Sequence, residues 1–520
     1  FGKTLNMSML NCFFSRQYAE KGTIFEGLSI WKQEKYRRLQ GTYPVIFLSF
    51  ADVKQNNYQD AVQKIKNIIV DAYRQHRYLE QEECFTQNEK QQMLEITEKM
   101  SNVTAQDALK NLSSYLNLLY GKKVLIFLDE YDTPMQEAYI HGYWDEFAGF
   151  MRSLFNATFK TNPYLERAVM TGITRISKES VFSDLNNLTV ITTTSDAYAD
   201  CFGFTEEEVF QSLDQFGMPE KKDLVKQWYD GFCFGTHRDI YNPWSITNYL
   251  DERKLYPYWA STSSNGLVSR LIRTSSADVK EKMEDLLNGQ EIIVNFDEQI
   301  VYNQLDHNVN AIWSLLLASG YLKVKQVDYR GITREPWYTL DITNVETLSM
   351  FTTMFQNWFQ NQDANYGYFM KALIAGDLEA MNYYMNKVAL ATFSYFDVGS
   401  QHGSDPEPER FYHGFVLGLI AERSGIYMIR SNRESGFGRY DIMMIPQERE
   451  KYPAIIIEFK VCSRMRKETL EEAVQSALDQ ITEKNYDAEL LAQGISADRI
   501  RHYGFAFEGK RVLIGQDEKA

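Results

Sequence analysis

The sequence predicts an α/β protein of several domains, and three observations carry that prediction. Val124-Leu125-Ile126-Phe127-Leu128-Asp129-Glu130 is a continuous apolar run ending in two acids, the pattern of a parallel strand buried on both faces. Two further apolar runs, Tyr440-Asp441-Ile442-Met443-Met444-Ile445 and Ala454-Ile455-Ile456-Ile457-Glu458-Phe459-Lys460, flank a polar segment bracketed by Pro446 and Pro453. That reads as strand, loop and strand. Residues 399–409 form a linker of Gly, Ser, Pro and polar or acidic residues that cannot bury a core. The length of 520 residues corresponds to about three or four units.

The first unit, expected over residues 1–200, opens Phe1-Gly2-Lys3-Thr4-Leu5, followed by a helical pattern through Met9, Leu10, Phe13 and Phe14. Gly2-Lys3-Thr4 resembles the end of a Walker A loop, whose lysine reaches nucleotide phosphates and whose threonine hydroxyl reaches Mg2+. The triplet alone is a weak signal. The acids that close the 124–130 run are stronger, because a Walker B strand delivers one carboxylate to Mg2+ and a second to the hydrolytic water. Those roles fall to Asp129 and Glu130. Apolar runs at 44–50, 168–172 and 188–191 supply the other expected strands of the sheet. Thr171 and Thr174 are candidates to contact the γ-phosphate or the water, and Arg175 to stabilise developing charge. The strand and turn that lead into a P-loop are not in the sequence, so the sheet carrying Asp129 is expected to lack that strand, and ATP binding is expected only with a preceding segment.

The middle is expected to be mostly helical. A helical lid is assigned to residues 201–275, with a capping signal at Thr205 and Glu208, and its aromatic string from Trp228 to Trp259 reads as core packing ahead of base stacking. Over 276–398 a helix ends at Gly320, and alternating segments at 322–324 and 337–340 join through a turn at Gly331. Helix plus hairpin suggests a winged-helix-like module, with helices continuing to about Phe396.

In the last unit, residues 410–520, pairing Ile445 with Ala454 would set Asp441 opposite Glu458, since both lie four residues from the loop. Their Cβ atoms would then be about 5 Å apart on one face, and Lys460 would point the same way by the period of two. Two carboxylates so placed repel unless a cation lies between them, and an all-oxygen ligand set suits Mg2+ or Mn2+. A lysine beside them can orient the attacking water or hold the phosphate. Glu-x-Lys also occurs at 220–222, 252–254 and 508–510, so the triplet alone carries little; at 458–460 it stands with Asp441 in two neighbouring apolar runs, where charges are costly without a partner or a function.

The order of pieces from Phe411 to Phe507 resembles a PD-(D/E)XK nuclease domain: a helix around 411–415, a strand near 427–430, the two strands bearing Asp441 and Glu458, a helix from about Glu468 to Lys484, and a strand at 503–507. The helix presents Ala473, Ala477, Gln480 and Ile481 as one stripe, and the resemblance implies a glutamine, here Gln480, beside the active site. Glu434 and Glu422 are weaker candidates for a further carboxylate. The whole chain resembles a prokaryotic family that joins an AAA-ATPase-like domain to such a nuclease-like domain. The match rests on Leu128-Asp129-Glu130-Tyr131-Asp132, Thr171-Gly172-Ile173-Thr174-Arg175-Ile176, Phe202-Gly203-Phe204-Thr205, Trp228-Tyr229-Asp230-Gly231-Phe232, Tyr241-Asn242-Pro243-Trp244-Ser245 and Ser431-Asn432-Arg433-Glu434-Ser435-Gly436.

Net charge is −15, which argues against coating nucleic acid by bulk electrostatics. The local cluster of Arg430, Arg433, Arg439, Lys460, Arg464, Arg466 and Lys467 is where backbone phosphates would lie. No apolar run approaches the roughly 18 residues of a membrane span, so no membrane partner is expected, and the five scattered cysteines suit a reduced cytoplasmic setting without zinc. The expected function is ATP binding and hydrolysis coupled to a metal-dependent endonuclease, with ATP and Mg2+ (or Mn2+) as cofactors and nucleic acid, DNA ahead of RNA, as partner. Homo-oligomerisation is left open. The rival is a nucleotide-regulated signalling or DNA-binding protein whose nuclease fold does not cut.

Overall fold

A computed structural model describes residues 2–173, 185, 187–260, 266–298, 310–360, 365–396, 414–419, 425–435, 438–462, 468–508 and 511–517. Contacts divide the chain into two compact units, one built from residues 1–226, 230–253 and 296–320, the other from 227–229, 254–295 and 321–520.

In the first unit, β1 (Val45–Ser49), β2 (Val124–Asp129) and β3 (Leu165–Met170) form a parallel sheet in that order. All six residues of β2 are buried, as expected for a strand covered on both faces. One cover is the helix Lys3–Phe14, whose Met7 packs with Val45, Leu125 and Phe127. Helices Tyr58–Gln75 and Asn102–Tyr120 also pack on β1 and β2. The four central residues of β3 are exposed, and among the described residues no further strand pairs with it. The strand expected at 188–191 does not form. There Thr192 and Thr194 direct their hydroxyls to the Glu298 carboxylate, at 3.1 and 2.7 Å, and the Thr192 amide donates to the Ser195 hydroxyl; such side-chain bonds hold a chain in turns at the expense of a ladder.

The region expected as a helical lid contains helices Glu206–Gln215, Lys222–Tyr229 and Pro243–Glu252, and also a small antiparallel sheet of β4 (Phe204–Thr205), β5 (Phe232–Phe234) and β6 (His237–Tyr241) in the order β4-β6-β5. The sheet arises where Phe232, Phe234, Ile240 and Tyr241 flank a turn at Gly235, whose φ of 53° suits glycine. The capping box at Thr205 and Glu208 is formed. Most of the aromatic string is core: Tyr229, Tyr241 and Tyr249 are buried, whereas Trp244 is exposed.

In the second unit, β7 (Ile292–Val294), β8 (Leu322–Arg330) and β9 (Glu335–Ile342) form an antiparallel sheet in the order β7-β9-β8. The helix Ala311–Ala318, expected to accompany this hairpin, is buried along most of its length and groups with the first unit. The main sheet of the second unit has five strands in sequence order: β10 (Tyr427–Ser435), β11 (Gly438–Pro446), β12 (Ala454–Val461), β13 (Ile500–Glu508) and β14 (Arg511–Gln516). Only β12 and β13 are parallel, and a parallel pair needs a crossover. Helix Leu470–Glu483 supplies it and packs on β12, β13 and β14. Gly504 lets it lie close, since a Cβ there would come within 2.7 Å of the Val474 carbonyl. β14 was not foreseen. Its outer edge is closed by helix Leu378–Phe396, whose Asn382 and Asn386 side chains both donate to and accept from the backbone of Ile514 and Val512.

Candidate active site

The β11–β12 hairpin pairs Ile442 with Ile457, Met443 with Ile456 and Met444 with Ile455, the register that sets Asp441 against Glu458. The side chains lock this end of the ladder. The Asp441 amide donates to Glu458 Oε2 at 3.3 Å, and the Phe459 amide donates to Asp441 Oδ2 at 2.7 Å. Lys460, two residues along, brings Nζ to 3.5 Å from Glu458 Oε1. From the crossover helix, Gln480 accepts from Lys460 through its carbonyl and donates to Glu458 Oε1 through its amide nitrogen. Its buried neighbours Ala473, Ala477 and Ile481 explain why Gln480 faces the sheet.

Burial dominates the electrostatics. Glu458 is only 2 % exposed, and its carboxyl is pushed up to about 8, first by desolvation and then by Asp441, against the lowering effect of Lys460. Asp441 is raised to about 6, again by burial, opposed by the Phe459 amide and Lys460. Two facing carboxyls that resist joint ionisation are what an all-oxygen cation site looks like before its charge is balanced. Asp441 and Glu458 therefore fit a hard divalent cation, and the chemistry of the donor set disfavours zinc.

One partner escaped sequence reasoning. Tyr486 receives the Gln480 amide at 3.0 Å and donates to the Arg439 carbonyl, fixing Gln480 from behind. It follows the helix in a turn, where no periodicity marks it. Of the expected basic cluster, Arg430 pairs with Glu489 at 2.6 Å and Arg433 with Asp285. Arg464, Arg466, Lys467 and Glu422, and the side chain of Glu434, lie outside the described residues.

In the first unit, Asp129 is buried at the end of β2 and accepts from the Thr171 hydroxyl. Glu130 turns the chain with φ 53°, a conformation costing about 1–3 kcal/mol outside glycine and often kept at functional sites. Its carboxyl is raised by burial, partly offset by Lys3, whose Nζ lies 4.0 Å away. Gly2 caps the helix in the left-handed region, and Thr4 is exposed on its first turn without a hydrogen bond to Asp129 or Glu130. Arg175 and Thr174 lie outside the described residues. Asp132, in the quoted motif but not among the expected site residues, is buried and accepts from the Ile173 amide at 2.9 Å. A Cβ on Gly172 would come within 2.5 Å of Asp132 Oδ1, so the two strand ends meet only because residue 172 has no side chain.

Comparison with known proteins agrees with both halves. Residues 1–182 match the family described as Predicted AAA-ATPase, and residues 407–517 match the PD-(D/E)XK nuclease superfamily. A relative from Azotobacter chroococcum mcd 1, described as "Uncharacterized protein in vnfD 5'region", is 24% identical over 351 residues, which cover 66% of this chain and 59% of that protein. No solved structure matches the chain. The chain thus carries an AAA-ATPase-like domain at its N-terminal end and a PD-(D/E)XK nuclease superfamily domain at its C-terminal end.

Proposed function

We propose that the protein is a divalent-metal-dependent nucleic-acid phosphodiesterase whose activity is coupled to ATP binding and hydrolysis. The observation that carries this reading is the network of Asp441, Glu458, Lys460 and Gln480: one buried and one half-buried carboxyl, a lysine and an amide held within one set of hydrogen bonds. A structural ion pair would need one acid and one base; a second buried acid costs free energy without a cation to balance it.

In this reading Asp441 and Glu458 hold the cation, Mg2+ or Mn2+. When bound, it supplies positive charge to the scissile phosphate and lowers the pKa of a water. Lys460, kept in place by Gln480 and Glu458, donates to the attacking water or to a phosphate oxygen, where its charge is most useful as negative charge develops. Gln480 is a positioning residue, itself fixed by Tyr486. At the other site Lys3 is assigned to nucleotide phosphates, Asp129 to Mg2+, and Glu130 to the hydrolytic water; Gly2, Thr4 and Arg175 complete the assignment from sequence.

Incubating the full chain and ATP with supercoiled plasmid DNA and with single-stranded RNA, in Mg2+ and in EDTA, tests the proposal. Cutting of either polymer is expected in Mg2+ and not in EDTA. Equal integrity of both substrates with and without metal would overturn it.

A further inference from the structure

Three consecutive donors on β10 meet three acids of one helix. The Ser431 amide donates to Glu284 Oε1 at 2.5 Å and its hydroxyl donates to Glu284 Oε2; the Asn432 side chain donates to Glu281 at 2.5 Å, and the Arg433 guanidinium to Asp285. Glu281, Glu284 and Asp285 share one face of helix Ala277–Leu287 at spacings of three and four. Acids so spaced repel each other, so in isolation this face is unfavourable; the β10 donors offset that.

The strand is shaped to present those donors. In a regular strand residues 431, 432 and 433 would alternate between faces, but Asn432 has φ 48°, and the break lets all three reach the same helix. Register puts Ser431 opposite Ile442 and Arg433 opposite Tyr440, so the interrupted pair between them is Asn432 and Asp441. The donor row therefore borders the candidate catalytic carboxylate. Around it lies a cleft of about 380 Å³, whose wall also includes Arg439, exposed and without an ion pair among the described residues.

An amide N–H, a hydroxyl, a carboxamide and a guanidinium on successive residues are the groups that grip phosphodiester oxygens, and a carboxylate offers them the same bonds. We propose that Ser431, Asn432, Arg433 and Arg439 form the backbone-phosphate track of the nuclease-like site, and that Glu281, Glu284 and Asp285 occupy it as a carboxylate mimic which nucleic acid displaces. This rests on the nuclease reading above and adds an autoinhibitory contact to it.

The test measures binding, not cutting, in the full chain carrying Lys460→Ala. Fluorescence anisotropy follows a labelled 20-base-pair DNA duplex and a labelled 20-nucleotide RNA. Glu281→Gln, Glu284→Gln and Asp285→Asn together are expected to tighten binding of at least one probe about tenfold, and the probe that gains identifies the polymer. Adding Arg433→Ala and Arg439→Ala should abolish the gain. Neutralising the exposed Glu448, Glu450 and Asp498 instead, an equal change in net charge, should leave affinity near the parent value. Unchanged affinity for both probes, a gain that survives loss of both arginines, or an equal gain from the control set would overturn the proposal. Should the triple variant not fold, Asp285→Asn alone, whose side chain is 27% exposed, is expected to tighten binding about threefold, and no change would likewise overturn it. A gain in binding with no metal-dependent cutting by the protein that retains Lys460 would sink the nuclease reading while leaving this one standing.

Discussion

Asp441 and Glu458 set a pH dependence whose sign follows from their raised pKa values. Their ordinary values lie near about 4, whereas the folded state holds them up to about 6 and about 8. Without metal, the folded protein therefore keeps protons that the unfolded chain releases. Their contribution to stability is complete below about pH 4 and is lost as pH rises through about 8. Calorimetry in EDTA should show Tm falling from pH 5 to pH 9, with a shallower fall in Glu458→Gln and a gain in Tm on adding Mg2+ that grows with pH. A Tm that rises over this range in EDTA would contradict the assignment of two facing desolvated acids. Gln480 bonds both Lys460 and Glu458, so Gln480→Ala should slow cleavage about tenfold or more while losing less metal affinity, read by titration calorimetry, than Asp441→Asn. In a form of the protein that binds Mg-ATP, Glu130→Gln should retain it while hydrolysis slows about a hundredfold; wild-type phosphate release in that variant would remove Glu130 from the chemistry.

At the scale of elements, the edge of β14 gives a prediction independent of any activity. Asn382 and Asn386 satisfy the N–H and C=O groups of Val512 and Ile514 with a reciprocal pair of bonds each. Replacing both by leucine leaves four backbone groups without these partners, and urea unfolding should register a loss of about 2–4 kcal/mol. Concentration-dependent association through the freed edge is the expected companion, measurable by light scattering. This device was not legible in the sequence, because an Asn pair four apart on a helix looks like any solvated face. The β11–β12 register was legible, since two prolines bracket the loop and both runs are apolar to their ends. Gln480 was legible from its stripe; Tyr486 and the acids of helix Ala277–Leu287 were not, as they meet the site through turns and through contacts about 150 residues apart in sequence. The run at 188–191 misled because Leu188, Val190 and Ile191 around a β-branched threonine satisfy the strand pattern equally well when nearby threonines bond Glu298 and Ser195 and hold the chain in turns.

Over the whole molecule, two domains of different family each place carboxylates at strand ends, one at the tip of a parallel strand and one across a hairpin. Among the described residues no helix is long and apolar enough to cross a membrane. If Asp441 and Glu458 hold the metal while Lys460 acts on water and phosphate, the two roles separate in one paired measurement: Mn2+ binding by calorimetry alongside cleavage of labelled DNA and RNA, in wild type, Asp441→Asn and Lys460→Ala. Asp441→Asn should lose both metal and cutting. Lys460→Ala should bind the ion as wild type does and cut neither polymer. A Lys460→Ala protein that cuts at the wild-type rate, or a wild-type protein that binds no divalent ion, would rule out these roles.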